Sequence, residues 1–170
     1  MSDSTFTVTA PITDVHVIVR NGQEILLSQR GGSYGHGQWH LPSGKLELQG
    51  KETAAEPASG KVARRNETPA EAASRELREE TGLVADPETM TLRHTVIHHQ
   101  GDGTPDRLGL FFETTKYAGD VVNREPDKCL ALRWFAEHNL PDNLIPYPAV
   151  GLNGSLTQPG GLSYHGWPEH

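Results

Sequence analysis

Arg75-Glu76-Leu77-Arg78-Glu79-Glu80-Thr81-Gly82-Leu83 decides how this chain is read. On a helix, Glu76, Glu79 and Glu80 fall at i, i+3 and i+4, so their carboxylates leave one face within a single turn. Like charges at that spacing repel, and a stretch with no use for them would scatter its glutamates or interleave lysines. A hard divalent cation that neutralises all three explains the grouping. The competing explanation is a solvated acidic face, which would be the better one for Glu-Glu alone.

The flanks favour the cation. Ala70, Ala73 and Leu77 recur at helical spacing and form a narrow stripe of small residues that lets a helix sit close to a sheet. Thr68-Pro69 reads as an N-cap followed by proline at the first helical position, with Glu71 in the capping-box place. Gly82 stands where a left-handed cap is expected, with Leu83 beyond it to fold back on the last turn. A helix over 68–81 follows, with one face for the core and one for the metal.

With these residues in hand, the chain resembles a Nudix hydrolase. That family's signature runs Gly, five residues, Glu, seven residues, then Arg-Glu, an aliphatic residue, any residue, Glu-Glu, any residue, Gly and an aliphatic residue. Glu67 followed by Arg75 to Leu83 matches everything from the first glutamate onward. Trp39-His40-Leu41-Pro42-Ser43-Gly44-Lys45 is similar to the strand and loop that lead into the box. The departure is an insertion: 22 residues, 45 to 66, separate Gly44 from Glu67 where the family has five.

Ser43-Gly44-Lys45-Leu46 recurs as Ser59-Gly60-Lys61-Val62, and Glu52-Thr53-Ala54-Ala55-Glu56 is echoed by Glu67-Thr68-Pro69-Ala70-Glu71. A tandem duplication of the loop and first helical turn is one reading; chance similarity in an Ala/Glu-rich stretch is the other. Two loops could then lend a backbone carbonyl to the metal. Ser43/Gly44 is favoured over Ser59/Gly60, because Leu41-Pro42 ties that turn to the preceding strand. Residues 46–64 become an exposed excursion, in which Pro57 would stop any second helix early.

Composition suits a globular enzyme: 170 residues, 35% of them hydrophobic and 22% charged, allow a real core. The net charge of −7 argues against a nucleic-acid polymer as partner, which calls for a basic stripe. It does not argue against phosphates, since a bound cation inverts the local field. Cys129 is the only cysteine, so no internal disulfide is expected. With neither a signal pattern near Met1 nor an apolar stretch of membrane length, the expectation is a cytoplasmic protein that does not engage a membrane.

Val15 to Arg20 and Glu24 to Ser28 flank Asn21-Gly22, a hairpin signal. Further strands are expected at 38–42, 89–98, 108–117 and 130–135, and a second helix within 143–152, confined to its later part by Pro146 and Pro148. Residues 153–170, rich in Gly, Pro and Ser, read as a loose or partner-dependent tail. The resemblance adds the architecture: an α/β (α+β) Nudix fold, a mixed β-sheet sandwiched between α-helices, in one domain over 1–152.

The resemblance also implies the site. Glu76, Glu79, Glu80, the Ser43 loop carbonyl and Glu125 would hold Mg²⁺ or Mn²⁺; Glu125 matches a glutamate that follows the central sheet in the nucleotide-triphosphate, MutT-like branch. Arg75, Glu79 and Glu80 are the candidate catalytic residues. In the family an arginine at the Arg75 position pairs with the early box glutamate, here Glu67, although helical spacing equally allows Arg75 with Glu71 or Glu79. A glutamate outside the metal's direct contacts would be the better base.

Lys45, Trp39 and Phe112 are the candidate substrate contacts. Trp39, Tyr34 and Phe112 could stack on a base, with a core or rim place as the alternative for each. His94, His98 and His99 are rejected as a zinc cluster, because an alternating strand sends 98 and 99 to opposite faces. Pro105-Asp106-Arg107 is assigned no chemistry. The implied partner is a small-molecule diphosphate, first a nucleoside triphosphate cleaved to monophosphate and pyrophosphate, with a homodimer as a further expectation. Nucleotide sugars, ADP-ribose, isoprenoid diphosphates or a non-catalytic nucleotide-binding module are the alternatives.

Overall fold

The computed structural model describes residues 10–47, 51–52, 64–101 and 103–168. The first strand, β1 (Ile12–Asn21), turns at Asn21-Gly22 into β2 (Glu24–Arg30), with Gly22 at φ 61°, a conformation side-chain-bearing residues adopt rarely. The segment expected as one strand over 38–42 is divided. Trp39–His40 (β3) pairs with β2, the chain crosses at Leu41-Pro42, and Ser43–Lys45 (β4) pairs antiparallel with β1. Pro42 has no N–H to continue a ladder, but its carbonyl accepts from Val17 N at 2.9 Å and anchors the crossing.

The inserted excursion leaves and returns as a short antiparallel ladder of β5 (Lys51–Glu52) and β6 (Arg64–Arg65). Ser59/Gly60, the second candidate loop, and Pro57 lie outside the described residues. The box helix α1 (Pro69–Thr81) starts and stops where its sequence says it should. Thr68 N–H donates to Glu71 Oε2 at 2.7 Å, Glu71 N–H donates back to Thr68 Oγ1 at 3.3 Å, and Gly82 closes the last turn at φ 77°. Beyond it come β7 (Thr91–His98), β8 (Arg107–Thr114), β9 (Cys129–Ala136), the second helix α2 (Pro146–Thr157) and β10 (Gly161–His165).

The main sheet runs β10-β7-β8-β1-β2-β3, with β4 also on β1 and β9 also on β2. It is mixed: β1 lies parallel to β8 and β10 parallel to β7, while β7 and β8 are antiparallel. The period-two alternation of β1 sorts its side chains to two layers. Val15, Val17 and Val19 meet Ala72, Ala73 and Leu77 of α1; Ile18 joins Phe111, Val96, Tyr147 and Leu152 on the side of α2. Full burial of Leu77 alone is worth about 1.5–3 kcal/mol. The sheet therefore lies between two helices, as expected.

Two expectations fail near the C-terminus. Pro146 and Pro148 do not delay α2, because both fall in its first turn, where backbone N–H groups have no intrahelical acceptor to lose. Residues 153–165 are no loose tail either. The helix runs on to Thr157, and β10 extends the sheet from Gly161 opposite His94 to His165 opposite His98. The small residues that suggested looseness permit close packing instead: a Cβ at Gly151 would overlap the Phe111 ring, and one at Gly154 the His94 ring. Among the described residues, no helix is long and apolar enough to cross a membrane.

Candidate active site

The capping that fixes α1 also fixes the direction of its carboxylates. Glu76 and Glu80 turn toward β4, where Ser43 N–H donates to Glu80 Oε2 at 3.2 Å and a Cβ on Gly44 would overlap the Glu76 carboxylate. Glycine at 44 is thus required by the close approach of a helix carboxylate, and Ser43/Gly44 stands beside the box. Glu79 is more open, its side chain 49% exposed. Glu125, from the loop before β9, faces the same cleft and is held by Lys128 Nζ at 2.7 Å.

Arg75 braces the box from beneath. Its Nη2 lies 2.8 Å from Glu67 Oε1 and its Nε 3.1 Å from Glu67 Oε2, with the two side chains only 8% and 2% exposed. Its Nη2 also donates to the Lys45 carbonyl at 3.1 Å, and Glu67 Oε1 accepts Glu47 N–H at 2.8 Å. The pairing with Glu67 is therefore the one formed, alongside a contact to Glu76 at 2.5 Å and a longer one to Glu79 at 3.4 Å. These contacts, the Glu67 bonds foremost, hold the Arg75 guanidinium above its usual pKa. Arg75 thus positions the helix start against the loop.

Glu80, deepest on the cleft side, is less well compensated. Burial pushes the Glu80 carboxyl up to about 8; the Ser43 N–H works against this rise, and the neighbouring Glu76 and Glu125 add to it. Burial also raises Glu76, with Arg75 opposing and Glu79 and Glu125 adding. Among the described residues, no three acidic, imidazole or thiol groups stand ready-gathered as a ligand set. Glu76 is drawn to Arg75 and Glu125 to Lys128. The oxygen-only chemistry, the room left by Gly44 and the mutual repulsion of Glu76, Glu80 and Glu125 fit a hard divalent cation.

These groups line one end of a cleft with a cavity volume of about 730 Å³, which would hold a nucleotide-sized molecule. Lys45, exposed, and Tyr34, 67% exposed, stand on its rim. Trp39 and Phe112 do not. Trp39 packs edge-on against Phe135 at 4.8 Å, and its backbone bonds to Asn143 and Ile145; Phe112 belongs to the layer under α1. Each is 7% exposed, so their apolar area serves the core rather than the cleft. The three histidines set aside as a zinc site are dispersed: His94 bonds Ser163 at 2.8 Å, His98 stacks on Tyr147 and His99 meets Asp106.

The far end of the cleft holds residues that sequence reading left without a role. Arg107 Nε and Nη2 grip the Asp14 carboxylate at 2.5 and 2.6 Å, and the Tyr147 hydroxyl reaches Asp14 Oδ2 at 3.4 Å. Gly109 leaves the space that the Tyr147 hydroxyl occupies. His16, two residues along β1 from Asp14, is fully enclosed, and burial drives its imidazole down to about 3, with His40 and Arg107 adding to the fall. The available signal was the interruption of an apolar run by Asp14 and His16 on one strand face.

A NUDIX domain model matches residues 10–150. The chain belongs to the NUDIX family, whose hydrolases act on diphosphate linkages and generally use divalent metal ions. A MutT NUDIX hydrolase from Burkholderia pseudomallei is similar at 25% identity and a TM-score of 0.66, over 85% of this chain and 98% of that one. The fold is shared with a MutT protein from Bacillus halodurans (19% identity, TM-score 0.63, 92% and 91% covered) and with the E. coli ORF135 protein (24%, 0.59, 85% and 88%). A comparison with curated proteins returns no match.

Proposed function

We propose that this chain hydrolyses a nucleoside triphosphate to the monophosphate and pyrophosphate, using Mg²⁺ or Mn²⁺ held by Glu76, Glu80, Glu125 and the Ser43 carbonyl, with Glu79 beside them. The observation that carries this reading is one cleft with two characters. Carboxylates that repel one another line one end, and Arg30, Lys45, Arg107 and Lys128 also face the cavity. A bound divalent ion supplies phosphate neutralisation and an activated water at the acidic end. Arg107 is already paired with Asp14 and Lys128 with Glu125, so Arg30 and Lys45 are the cations that balance a polyphosphate, and Arg30, 5.8 Å from the Tyr34 ring centroid, stands where the rim is open. The polar walls do not suit an isoprenoid chain, which would bury Asp14 and Arg107 against hydrocarbon.

Within this reading Glu79 and Glu80 divide the roles of ligand and proton acceptor. Pyrophosphate release from a panel of nucleoside triphosphates with Mg²⁺, measured beside Mg²⁺ affinity, assigns them. Glu→Gln at the ligand lowers affinity; Glu→Gln at the base lowers kcat by about 10²–10⁴-fold with affinity kept. Absence of turnover across the panel in the wild type removes the proposal, and full activity in a Glu79→Gln/Glu80→Gln double variant removes the metal assignment.

A further inference from the structure

One group in the cleft has no part in phosphate chemistry and no adequate reason to be polar. The His16 ring is 4% exposed and stacks on Phe111 at 4.3 Å between centroids with 6° between planes; Tyr147 meets it edge-on at 5.5 Å and 86°. These contacts would suit phenylalanine. Yet neither ring nitrogen has a hydrogen-bond partner among the described residues, although the ring lines the cleft. Buried polar groups are nearly always paired, because each one left unsatisfied is a substantial cost to folding.

The surroundings indicate what the nitrogens are for. Asp14, 5% exposed, pins Arg107 through Nε and Nη2. The His98 ring stacks on Tyr147 at 4.7 Å and 20°, and His165 of β10 backs His98 at 4.9 Å. Flat ring faces therefore stand beside fixed hydrogen-bonding groups. That combination receives a flat heteroaromatic ring with donors and acceptors on its edge; a sugar lacks the face and a hydrocarbon lacks the edge.

We propose that His16 is a specificity residue, reading the edge of the substrate's nucleobase through the ring nitrogens that Phe111 and Tyr147 hold in place. This rests on the nucleotide reading above. The nitrogens are covered in the structure, so the base reaches them once a neighbouring side chain swings aside.

His16→Phe keeps the stack and deletes both nitrogens. Rates for a panel of ribo- and deoxyribonucleoside triphosphates, thermal unfolding and Mg²⁺ calorimetry are measured on wild type and variant. The expected result is a fall of about 10- to 100-fold in kcat/KM for the preferred nucleotide, carried by KM, since one or two neutral hydrogen bonds are lost. The ranking among bases flattens, Mg²⁺ affinity stays, and Tm holds or rises. An unchanged ranking overturns the inference while leaving the proposed function standing. A lowered Tm with unchanged ranking also overturns it, by showing that the nitrogens serve the fold. A wild type inert toward every nucleotide removes the function and this inference together. If His16→Phe does not fold, His16→Gln takes its place under the same criteria.

Discussion

Removing Glu67 tests whether α1 is held by its buried ion pair or by packing alone. In Glu67→Ala, Arg75 loses two charge-assisted hydrogen bonds of 2.8 and 3.1 Å at a site where its side chain is 8% exposed, and Glu47 N–H loses its acceptor. Breaking a buried pair by deleting one partner costs about 3–5 kcal/mol, because the remaining charge stays desolvated. Arg75 keeps Glu76, so the lower end applies, about 3 kcal/mol. For a chain of this size each kcal/mol moves Tm by about 2–4 °C, which gives a fall of about 6–12 °C. Thermal unfolding by circular dichroism at neutral pH reads it. Replacing the whole pair, Arg75→Met with Glu67→Leu, should cost less than the sum of the two single variants, because no unpaired Arg75 or Glu67 charge stays buried, while Glu76, the Lys45 carbonyl and Glu47 N–H still lose a partner. A fall below about 2 °C in the single variant, or a double variant as unstable as the sum of its singles, refutes the brace.

Gly44→Ala should separate stability from metal binding. The new Cβ displaces the far end of the Glu76 side chain, so Tm changes by only a few degrees while Mg²⁺ affinity, read by calorimetry, drops about 10- to 100-fold. Glu80 predicts the pH response of the metal-free protein. A carboxyl at about 8 folded against 4.5 in a model compound holds its proton more tightly in the native state, so its stabilisation is complete below about 4.5 and is lost as pH rises through 8. Stability in chelator, followed by Tm, should therefore decline between pH 5 and 8, with the unfolding free energy falling by up to about 1.4 kcal/mol per unit; Glu80→Gln should flatten that decline, and Mg²⁺ should restore the wild type at pH 8.

The box was legible because its signals are local. Capping, a three-four carboxylate spacing and a glycine stop all lie within one helix, and the structure repeats them residue for residue from Thr68 to Gly82. The Arg75–Glu67 pair was legible only through the family's pattern, since spacing alone allowed Glu71 or Glu79 equally. The aromatic contacts were left between cleft and core, and for Trp39 and Phe112 the core place is the one taken. Trp39 and Phe112 carry the same chemistry in a core as on a rim, and only tertiary placement separates the two. The C-terminal segment was misread for a related reason: Gly151 and Gly154, weak helix formers by propensity, admit Phe111 and His94 against the helix. Arg107 lies 93 residues from its partner Asp14, a separation no short motif spans.

What joins the two ends of the cleft is the register of β1. Val15 and Val17 face α1 and hold the box helix; Asp14 and His16 alternate with them and face the layer of α2. The same residues pair across to β4, with Asp14 opposite Lys45, Val15 opposite Gly44 and His16 opposite Ser43. The backbone beside Glu80 and the ring beside Arg107 are thus neighbours on one ladder, and the span between the box carboxylates and the Asp14–Arg107 pair is set by strand geometry rather than by a loop. A long insertion between Glu47 and Glu67 is compatible with this arrangement because Glu47 N–H and the Lys45 carbonyl are each clasped directly to the Glu67–Arg75 pair. The chain between them can lengthen, since the ends that matter are tied to each other.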